Sequence, residues 1–252
     1  MDVLACLKRV PETGAKIVLT EDNQEIDTTN LGFTMSPHEE CAVEETVQLT
    51  EEEGHSTALT LGSEAAQEQV RTAIAMQTDE GVLLETDGSE WSPRNTAQAI
   101  AEFVREREDD YDLLLFGNES ADTANHQVGV RVAEELGLPI VTSIKSLDLE
   151  DGTAIAKREI ARGSEVYEID LPAVVAVKEG LNEPRYASMR ARMQARNQEI
   201  ERVTAERTVE PGLEKTELES PETDDSEAEI LGESPDAVPA IVDVLRDDLE
   251  VI

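Results

Sequence analysis

The spacing of apolar residues divides the first half of the chain into alternating strands and helices. Short apolar runs predict buried strands at residues 3–7, 57–61, 81–85 and 113–116. Between these runs, helical spacing of apolar residues predicts helices over residues 36–54, after Ser63, from Ser92 and from Val128 to about Gly137. This alternation is typical of an α/β fold with a mostly parallel sheet and helices on both faces.

A different pattern begins near Ile140. Apolar segments at residues 144–149, 154–160 and 165–171 are separated by two Gly-containing turns, which predicts a β-meander. Pro172 then precedes a buried strand at residues 173–177. A small hairpin is also predicted near the N-terminus, at residues 16–19 and 25–27.

The C-terminal part differs in composition from the rest. The stretch ESPETDDSEAE has almost no apolar residues, which predicts an extended acidic linker. We therefore divide the chain into an α/β domain at residues 1–200, a linker or arm at 201–233 and a docking helix at 234–252. The apolar stripe of that helix comprises Val238, Ile241, Val242 and Leu245. A helix this short needs a surface to dock on, either another subunit or its own domain.

Ligands of parallel α/β sheets bind where the carboxyl ends of the strands meet. The predicted strands bring residues 6–9, 61–62, 85–86 and 117–125 to this edge. The last of these segments enters a helix through small polar residues, so its backbone N–H groups favour an anion. The capping-box sequence Ser36-Pro37-His38-Glu39 starts a helix that we expect nearby. The alternative is an ordinary strand-to-helix turn.

Two basic segments interrupt an acidic chain. Lys8 and Arg9 follow the first strand, and they fit either the rim of a phosphate or partner site or a solvated strand end. The second basic segment, residues 189–196, is rich in Arg and Met and follows a loop at 181–188. Arg and Met are enriched at protein interfaces, so this segment favours contact with a partner.

The net charge limits the classes of partner. It is −36 at pH 7, which disfavours nucleic acid and anionic membranes because both would be repelled. Arg outnumbers Lys by 15 to 6. An acidic excess with scarce Lys leads us to expect a halophilic protein, since high salt screens self-repulsion.

The sequence lacks the motifs of an independent catalytic or metal centre. GxSxG, GxxxxGK[ST], HExxH and GxGxxG after a strand are all missing, and the three histidines are scattered. Cys6 and Cys41 have no CxxC spacing, which fits a reduced intracellular protein without a metal. No apolar run approaches the ~20 residues of a membrane span, and no signal-peptide pattern is present. We therefore expect a cytoplasmic scaffold that binds a nucleotide and a partner, not an enzyme.

Several ordered blocks of sequence carry a family resemblance. They are LACLKRVPE, SPHEECAVEE, EQVRTAIAMQTDEG, GNESADTANHQVG and LPAVV followed by LNEPRYA. At this spacing they resemble the β subunit of electron transfer flavoprotein, including its nitrogen-fixation-associated relatives, over about residues 1–200. The resemblance implies a Rossmann-like domain in a heterodimer whose α subunit holds most of an FAD site. Such a heterodimer accepts electrons from dehydrogenases and passes them to a membrane quinone reductase.

The resemblance also assigns residues by position. The nucleotide contacts would be Cys6, Ser36, Pro37, His38, Glu39, Leu61, Gly117, Asn118, Ser120, Asp122, Thr123, Asn125, His126, Gln127 and Val128. The docking contacts to a dehydrogenase would be Leu181, as the anchor, with Asn182, Glu183, Pro184, Arg185 and Tyr186.

The identity of the nucleotide stays open at this point. The family's simple carriers bind AMP in this chain, whereas its electron-bifurcating members bind a second FAD. Val128 replaces a hydroxyl of the AMP-binding loop, and the pieces Asp122-Thr123-Ala124 and Gln127-Val128-Gly129 are similar to the FAD-binding type. A stand-alone nucleotide-binding protein of the stress type is a third interpretation, but it needs neither the LNEPRYA loop nor a docking arm.

Overall fold

The computed structural model describes residues 1–12, 14–107, 111–210, 212–213, 215–221 and 230–251. They form two separately packed units, Met1–Thr216 and Glu217–Ile252. The strands are β1 Asp2–Leu7, β2 Val10–Pro11, β3 Phe33–Thr34, β4 His55–Gly62, β5 Glu80–Glu85, β6 Leu113–Gly117, β7 Ile140–Glu150, β8 Thr153–Ile160, β9 Gly163–Asp170, β10 Ala173–Val177 and β11 Glu201–Thr204. The α-helices are α1 Pro37–Thr50, α2 Gln67–Ala75, α3 Pro93–Arg105, α4 Val128–Leu136, α5 Met189–Ala195 and α6 Val238–Asp243.

A sheet of nine strands organises the first unit. Its order is β11-β5-β4-β1-β6-β10-β7-β8-β9. All pairings from β11 to β7 are parallel, and β7, β8 and β9 pair antiparallel as the predicted meander. The mostly parallel α/β sheet and its meander are therefore confirmed.

Helices cover both faces of the parallel strands, and β1 shows how the sequence fits between them. Leu4 and Cys6 pack in one core with residues of α3 and α4. Ala5 and Leu7 pack on the opposite face with residues of α1 and α2. A strand buried on both faces needs a continuous apolar run rather than an alternating one. This is why the run at residues 3–7 identifies an inner strand.

Two predicted boundaries differ from the structure. Helix α1 ends at Thr50 rather than near Gly54. The next residues, Glu51 to Glu53, place negative charge at the negative end of the helix dipole, which disfavours further turns. The predicted hairpin is reduced to one antiparallel bridge between Leu19 and Ile26. Its apolar residues Ile17 and Val18 are exposed, so no core holds a longer ladder.

The sheet extends past residue 200, where the composition changes. Residues Glu201–Thr204 form β11, an edge strand that pairs with β5. An edge strand with exposed polar positions carries little apolar signal, so composition alone assigns these residues to the linker. Residues 211, 214 and 222–229 of the predicted linker lie outside the described residues, as does residue 252.

The second unit is small and helical. A 3₁₀ turn at Pro235–Ala237 leads into α6 and a π-helical turn at Val244–Asp248. Ser234 caps this segment by accepting the Asp236 N–H at 3.3 Å. Of the predicted apolar stripe, Val238 and Ile241 are exposed, whereas Val242 and Leu245 are half-buried.

Candidate functional site

The carboxyl ends of β1 and β6 meet the start of α1. Strands β1 and β6 are neighbours, with Cys6 opposite Phe116. A Cβ atom added to Gly117, the last residue of β6, would lie 2.8 Å from Glu39 Cγ and 3.2 Å from Glu39 N. Only glycine allows this approach of strand to helix. The structure therefore brings together three of the segments expected at this edge.

Glu39 is buried at the first turn of α1. Its carboxylate accepts the Ser36 backbone N–H at 3.0 Å, the return bond of a capping box. Burial raises its pKa to about 7, although the bonds from Ser36 and the Lys8 charge act in the other direction. Burial, helped by the Glu39 charge, also raises the pKa of the Cys6 thiol. Cys6 is therefore a protonated packing residue.

The loop at residues 118–127 is held by its own polar side chains. Asn118 Oδ1 accepts the Ser143 N–H at 2.9 Å and the Ser143 hydroxyl at 3.0 Å. The hydroxyls of Ser120 and Thr123 lie 2.9 Å apart and share a hydrogen bond. The backbone of His126 is left-handed, with φ of 53°. These constraints preform the loop ahead of α4.

Lys8 is the basic residue that contacts this loop. Its Nζ donates to Asp122 Oδ2 at 2.6 Å. Burial of Asp122 opposes its ionisation, but the Lys8 charge and hydrogen bonds outweigh burial and hold its pKa below the usual range. Arg9 stacks on the Phe33 ring at 3.3 Å instead. Of Lys8 and Arg9, the two basic residues expected at the rim, Lys8 thus contacts the loop, and its charge is paired with Asp122.

The remaining predicted nucleotide contacts frame the loop. Leu61 and Val128 are half-buried and pack on the same apolar core. Gln127 occupies the N-cap position of α4 without a side-chain capping bond, and its Oε1 accepts two bonds from Arg131 at 3.1 and 3.0 Å. Asn125 is exposed.

Glu119 lies between the loop and α1, and no sequence pattern signals it. Its Oε2 lies 2.8 Å from His126 Nε2 and its Oε1 lies 3.5 Å from His38 Nε2. Two histidines that are scattered in sequence therefore meet at one carboxylate. A single Glu in a chain with 57 acidic residues carries no local signal. Among the described residues, no group of three or more His, Cys, Asp or Glu side chains is arranged to hold a metal.

The predicted docking loop has two kinds of residue. Asn182 turns inward and donates to Cys41 O at 3.0 Å and to Glu45 Oε2 at 2.8 Å. Arg185 turns inward as well, and its guanidinium contacts Glu44 at 2.8 and 3.0 Å and Glu51 at 2.8 Å. Hydrogen bonds from Arg185 outweigh the burial of Glu44 and lower the pKa of that carboxyl. These polar residues fasten the loop to α1.

Other residues of this region turn outward. Leu181 is half-buried against the core, whereas Glu183 and Pro184 are exposed. Tyr186 is 88% exposed, and Met189 and Met193 of α5 are 77% and 64% exposed. We call these three residues the α5 patch. It contains one predicted docking residue and two from the Arg- and Met-rich segment.

Comparison with known proteins places this geometry in a family. The model of the electron transfer flavoprotein domain matches residues 25–208. The chain belongs to the electron transfer flavoprotein family. The relatives of this electron transfer flavoprotein chain include a Bacillus subtilis protein named electron transfer flavoprotein subunit beta, 32% identical over 261 residues that cover all of both chains.

Two further relatives carry the same name, electron transfer flavoprotein subunit beta. The Mycobacterium tuberculosis protein is 34% identical over 224 residues, 86% of this chain and 83% of its own. The Mus musculus protein is 34% identical over 207 residues, 80% of each chain. Family members of this kind are electron carriers rather than classical enzymes. In the described part of this electron transfer flavoprotein chain, no helix has the length and apolar character to cross a membrane.

Proposed function

We propose that this chain is the β subunit of an electron transfer flavoprotein and pairs with an α subunit. The observation that carries the proposal is the end-to-end similarity to a protein named electron transfer flavoprotein subunit beta. In this proposal the heterodimer receives electrons from dehydrogenases and delivers them to a membrane quinone reductase. FAD, held mainly by the α subunit, supplies the electron chemistry when bound.

The proposed role of the carboxyl edge is to anchor an adenine nucleotide. The bare backbone of Gly117 lies against α1, and the loop after it offers the hydroxyls of Ser120 and Thr123. Lys8 is partly neutralised by Asp122, so phosphate groups need other partners. The backbone N–H groups of the loop and the dipole of α4 are suited to that task. This donor set fits a nucleotide phosphate better than it fits a cation.

The nucleotide is proposed to be AMP or a second FAD, and the two give different complexes. AMP corresponds to a simple carrier and a second FAD to a bifurcating complex. Val128 is half-buried against the core, and its side chain offers no hydroxyl. Flavin and AMP counted per purified heterodimer decide between them. One flavin with one AMP supports the carrier, and two flavins without AMP support the bifurcating form.

We propose that the α5 patch is the docking surface for a dehydrogenase. Tyr186, Met189 and Met193 project from a segment that also carries Arg190, Arg192 and Arg196. Arg192 lies over the Tyr186 ring at 5.3 Å, which stiffens the exposed aromatic side chain. An apolar patch with basic neighbours in a chain of net charge −36 suits a partner with an acidic rim. Leu181 is proposed to support this surface from below.

Co-expression with an α subunit tests the main proposal. The expected product is a yellow heterodimer with flavin absorbance that fades on reduction by a dehydrogenase and its substrate. A heterodimer that stays colourless when purified in excess FAD would contradict it. The chain expressed alone is the control, because a stable homodimer that binds ATP would support the stress-type alternative.

We also propose a cytoplasmic and saline setting. Cys6 and Cys41 are buried free thiols, which suits a reducing compartment. The net charge of −36 predicts that the folded fraction rises from low to multimolar KCl as self-repulsion is screened. Equal thermal stability across that range would argue against halophilic adaptation.

A further inference from the structure

Glu119 sits between two imidazoles whose proton positions can be deduced from their neighbours. At one end of the cluster, Asn118 Oδ1 accepts the backbone N–H of Ser143 at 2.9 Å. A backbone N–H can only donate, so the orientation of the Asn118 amide is fixed. Its Nδ2 therefore donates to His126 Nδ1 at 3.1 Å. His126 must then carry its proton on Nε2, which faces Glu119 at 2.8 Å.

The other end of the cluster follows the same logic. The backbone N–H of Glu179 donates to His38 Nδ1 at 2.7 Å. His38 therefore also carries its proton on Nε2, which faces the second oxygen of Glu119 at 3.5 Å. Each imidazole is therefore the Nε2–H tautomer in this arrangement, because its Nδ1 accepts a hydrogen bond from Asn118 or Glu179.

We propose that Glu119 is a positioning residue that connects the loop at residues 118–127 to the start of α1, with one carboxylate oxygen facing His126 Nε2 and the other facing His38 Nε2. This connection spans the two segments that hold the nucleotide, so this inference rests on the proposed function. Without the Glu119 contacts, the loop can move away from α1. Its backbone N–H groups then lose the preformed arrangement that is suited to a phosphate.

Other charged groups lie around this cluster. Glu39 packs against Gly117 beside His38, and Lys8 pairs with Asp122 in the same loop. The N–H donors of Asn118 and Glu179 contact the two imidazoles directly. The arrangement therefore depends on a donor at each Nδ1 and on one carboxylate between the two Nε2 atoms.

Histidine NMR tests the proton positions without any ligand. The chain has three histidines, and His55 serves as an internal reference because it lies away from the cluster, half-buried near Asp79 and Glu80. Full-length protein labelled with ¹⁵N at histidine should show His38 and His126 as Nε2–H tautomers. The spectrum of an H55N variant assigns the third signal. A charged form or an Nδ1–H tautomer at either site would overturn the inference.

Hydrogen exchange and AMP titration test the positioning role. E119Q places an amide N–H₂ against one imidazole N–H, so exchange of the loop amides should rise about tenfold or more in E119Q but not in E134Q. E134Q is the matched control, since Glu134 is an exposed residue of α4. Unchanged exchange in E119Q would overturn the inference.

The AMP arm separates this inference from the proposed function. E119Q should bind AMP about tenfold more weakly than the wild type. Equal AMP affinity in the two proteins would overturn the positioning role. No AMP binding to the wild type, together with the expected tautomers and exchange, would count against AMP as the ligand and leave the connection supported.

Discussion

Two loops of the molecule follow neighbouring parallel strands and yet use their polar residues in opposite ways. The loop after β6 keeps its polar groups in a network at the surface of the carboxyl edge, around Asn118 and Glu119. The loop after β10 turns Asn182 and Arg185 into the molecule and leaves apolar Tyr186 outside. Polar sequence therefore does not by itself identify a ligand site, because burial decides what a polar residue contacts.

Helix α1 packs against both loops, and two of its buried glutamates, Glu39 and Glu44, show the difference. Glu39 lies beside the first loop without a guanidinium partner, so burial dominates and its pKa rises. Glu44 lies under the second loop, and bonds from Arg185 outweigh burial, so its pKa falls. Helix α1 thus carries one carboxyl group whose protonated form is favoured, Glu39, and one whose ionised form is favoured, Glu44. The two should respond oppositely to pH and to mutation.

Removal of Arg185 should have the largest effect on stability. R185A leaves the carboxylate of Glu44 buried and unpaired, which costs about 3 kcal/mol by analogy with broken buried ion pairs. Urea unfolding measures the loss. R190A is the matched control, since Arg190 is exposed, and it should change stability by less than about 0.5 kcal/mol. Similar urea midpoints for R185A and R190A would show that the inward-turned Arg185 contributes no more to stability than an exposed arginine.

Glu39 should produce a pH dependence of the opposite sign to that of Glu44. The folded-state pKa of Glu39, about 7, lies above the unfolded value of 4.5. Protonated Glu39 therefore makes its full contribution to stability below pH 4.5, and this contribution is lost as the pH rises through 7. E39Q keeps an acceptor for Ser36, and above pH 7 it should be more stable than the wild type by up to about 3 kcal/mol. The paired Glu44 instead stabilises above its unfolded pKa and loses this contribution in acid.

The difference between E39Q and the wild type, measured by urea unfolding from about pH 5 to about pH 8, isolates Glu39 from the other carboxyl groups. E44Q measured over the same range is the comparison, and its deficit relative to the wild type should shrink as pH falls. If both differences had the same sign of slope, the assignment of one protonated and one charged glutamate would fail.

Gly117 tests whether close contact of β6 with α1 defines the first region. G117A places a methyl group 2.8 Å from Glu39 Cγ and 3.2 Å from Glu39 N, so strand and helix must separate. Such overpacking costs about 1–3 kcal/mol. Chemical unfolding measures that cost, and AMP titration should show weaker binding because the edge is widened. Wild-type AMP affinity together with wild-type stability of G117A would show that β6 and α1 can accommodate the added methyl group.

The sequence predicts the first region better than the second, and the reason is locality. Ser36, Pro37 and Glu39 signal a helix start within a few residues, and strand ends place Gly117 beside it. The orientation of Arg185 depends on where Glu44 of α1 comes to lie, which only tertiary packing determines. Glu119 is hidden for the same reason, because its partners are remote in sequence or set by the left-handed backbone of His126.

The α5 patch should give the smallest change in stability and a separate functional loss. Y186A and M189A remove side chains that are 88% and 77% exposed, so each should change the free energy of unfolding by less than about 0.5 kcal/mol. An exposed aromatic or apolar anchor of an interface is worth about 1–2 kcal/mol or more, so dehydrogenase affinity or electron-transfer rate should fall about tenfold. AMP affinity should stay at the wild-type value, because these residues belong to the second region.

M193A and L181A sharpen this last test. Met193 is exposed on the same helix, so M193A should weaken docking without loss of stability. Leu181 is half-buried against the core, so L181A should lower stability by roughly 1–2 kcal/mol, and its docking defect should follow from that loss. A docking defect confined to L181A, with Y186A and M189A fully active, would transfer the anchor from the exposed patch to the loop beneath it. The exposed residues of the α5 patch would then no longer be the docking contacts.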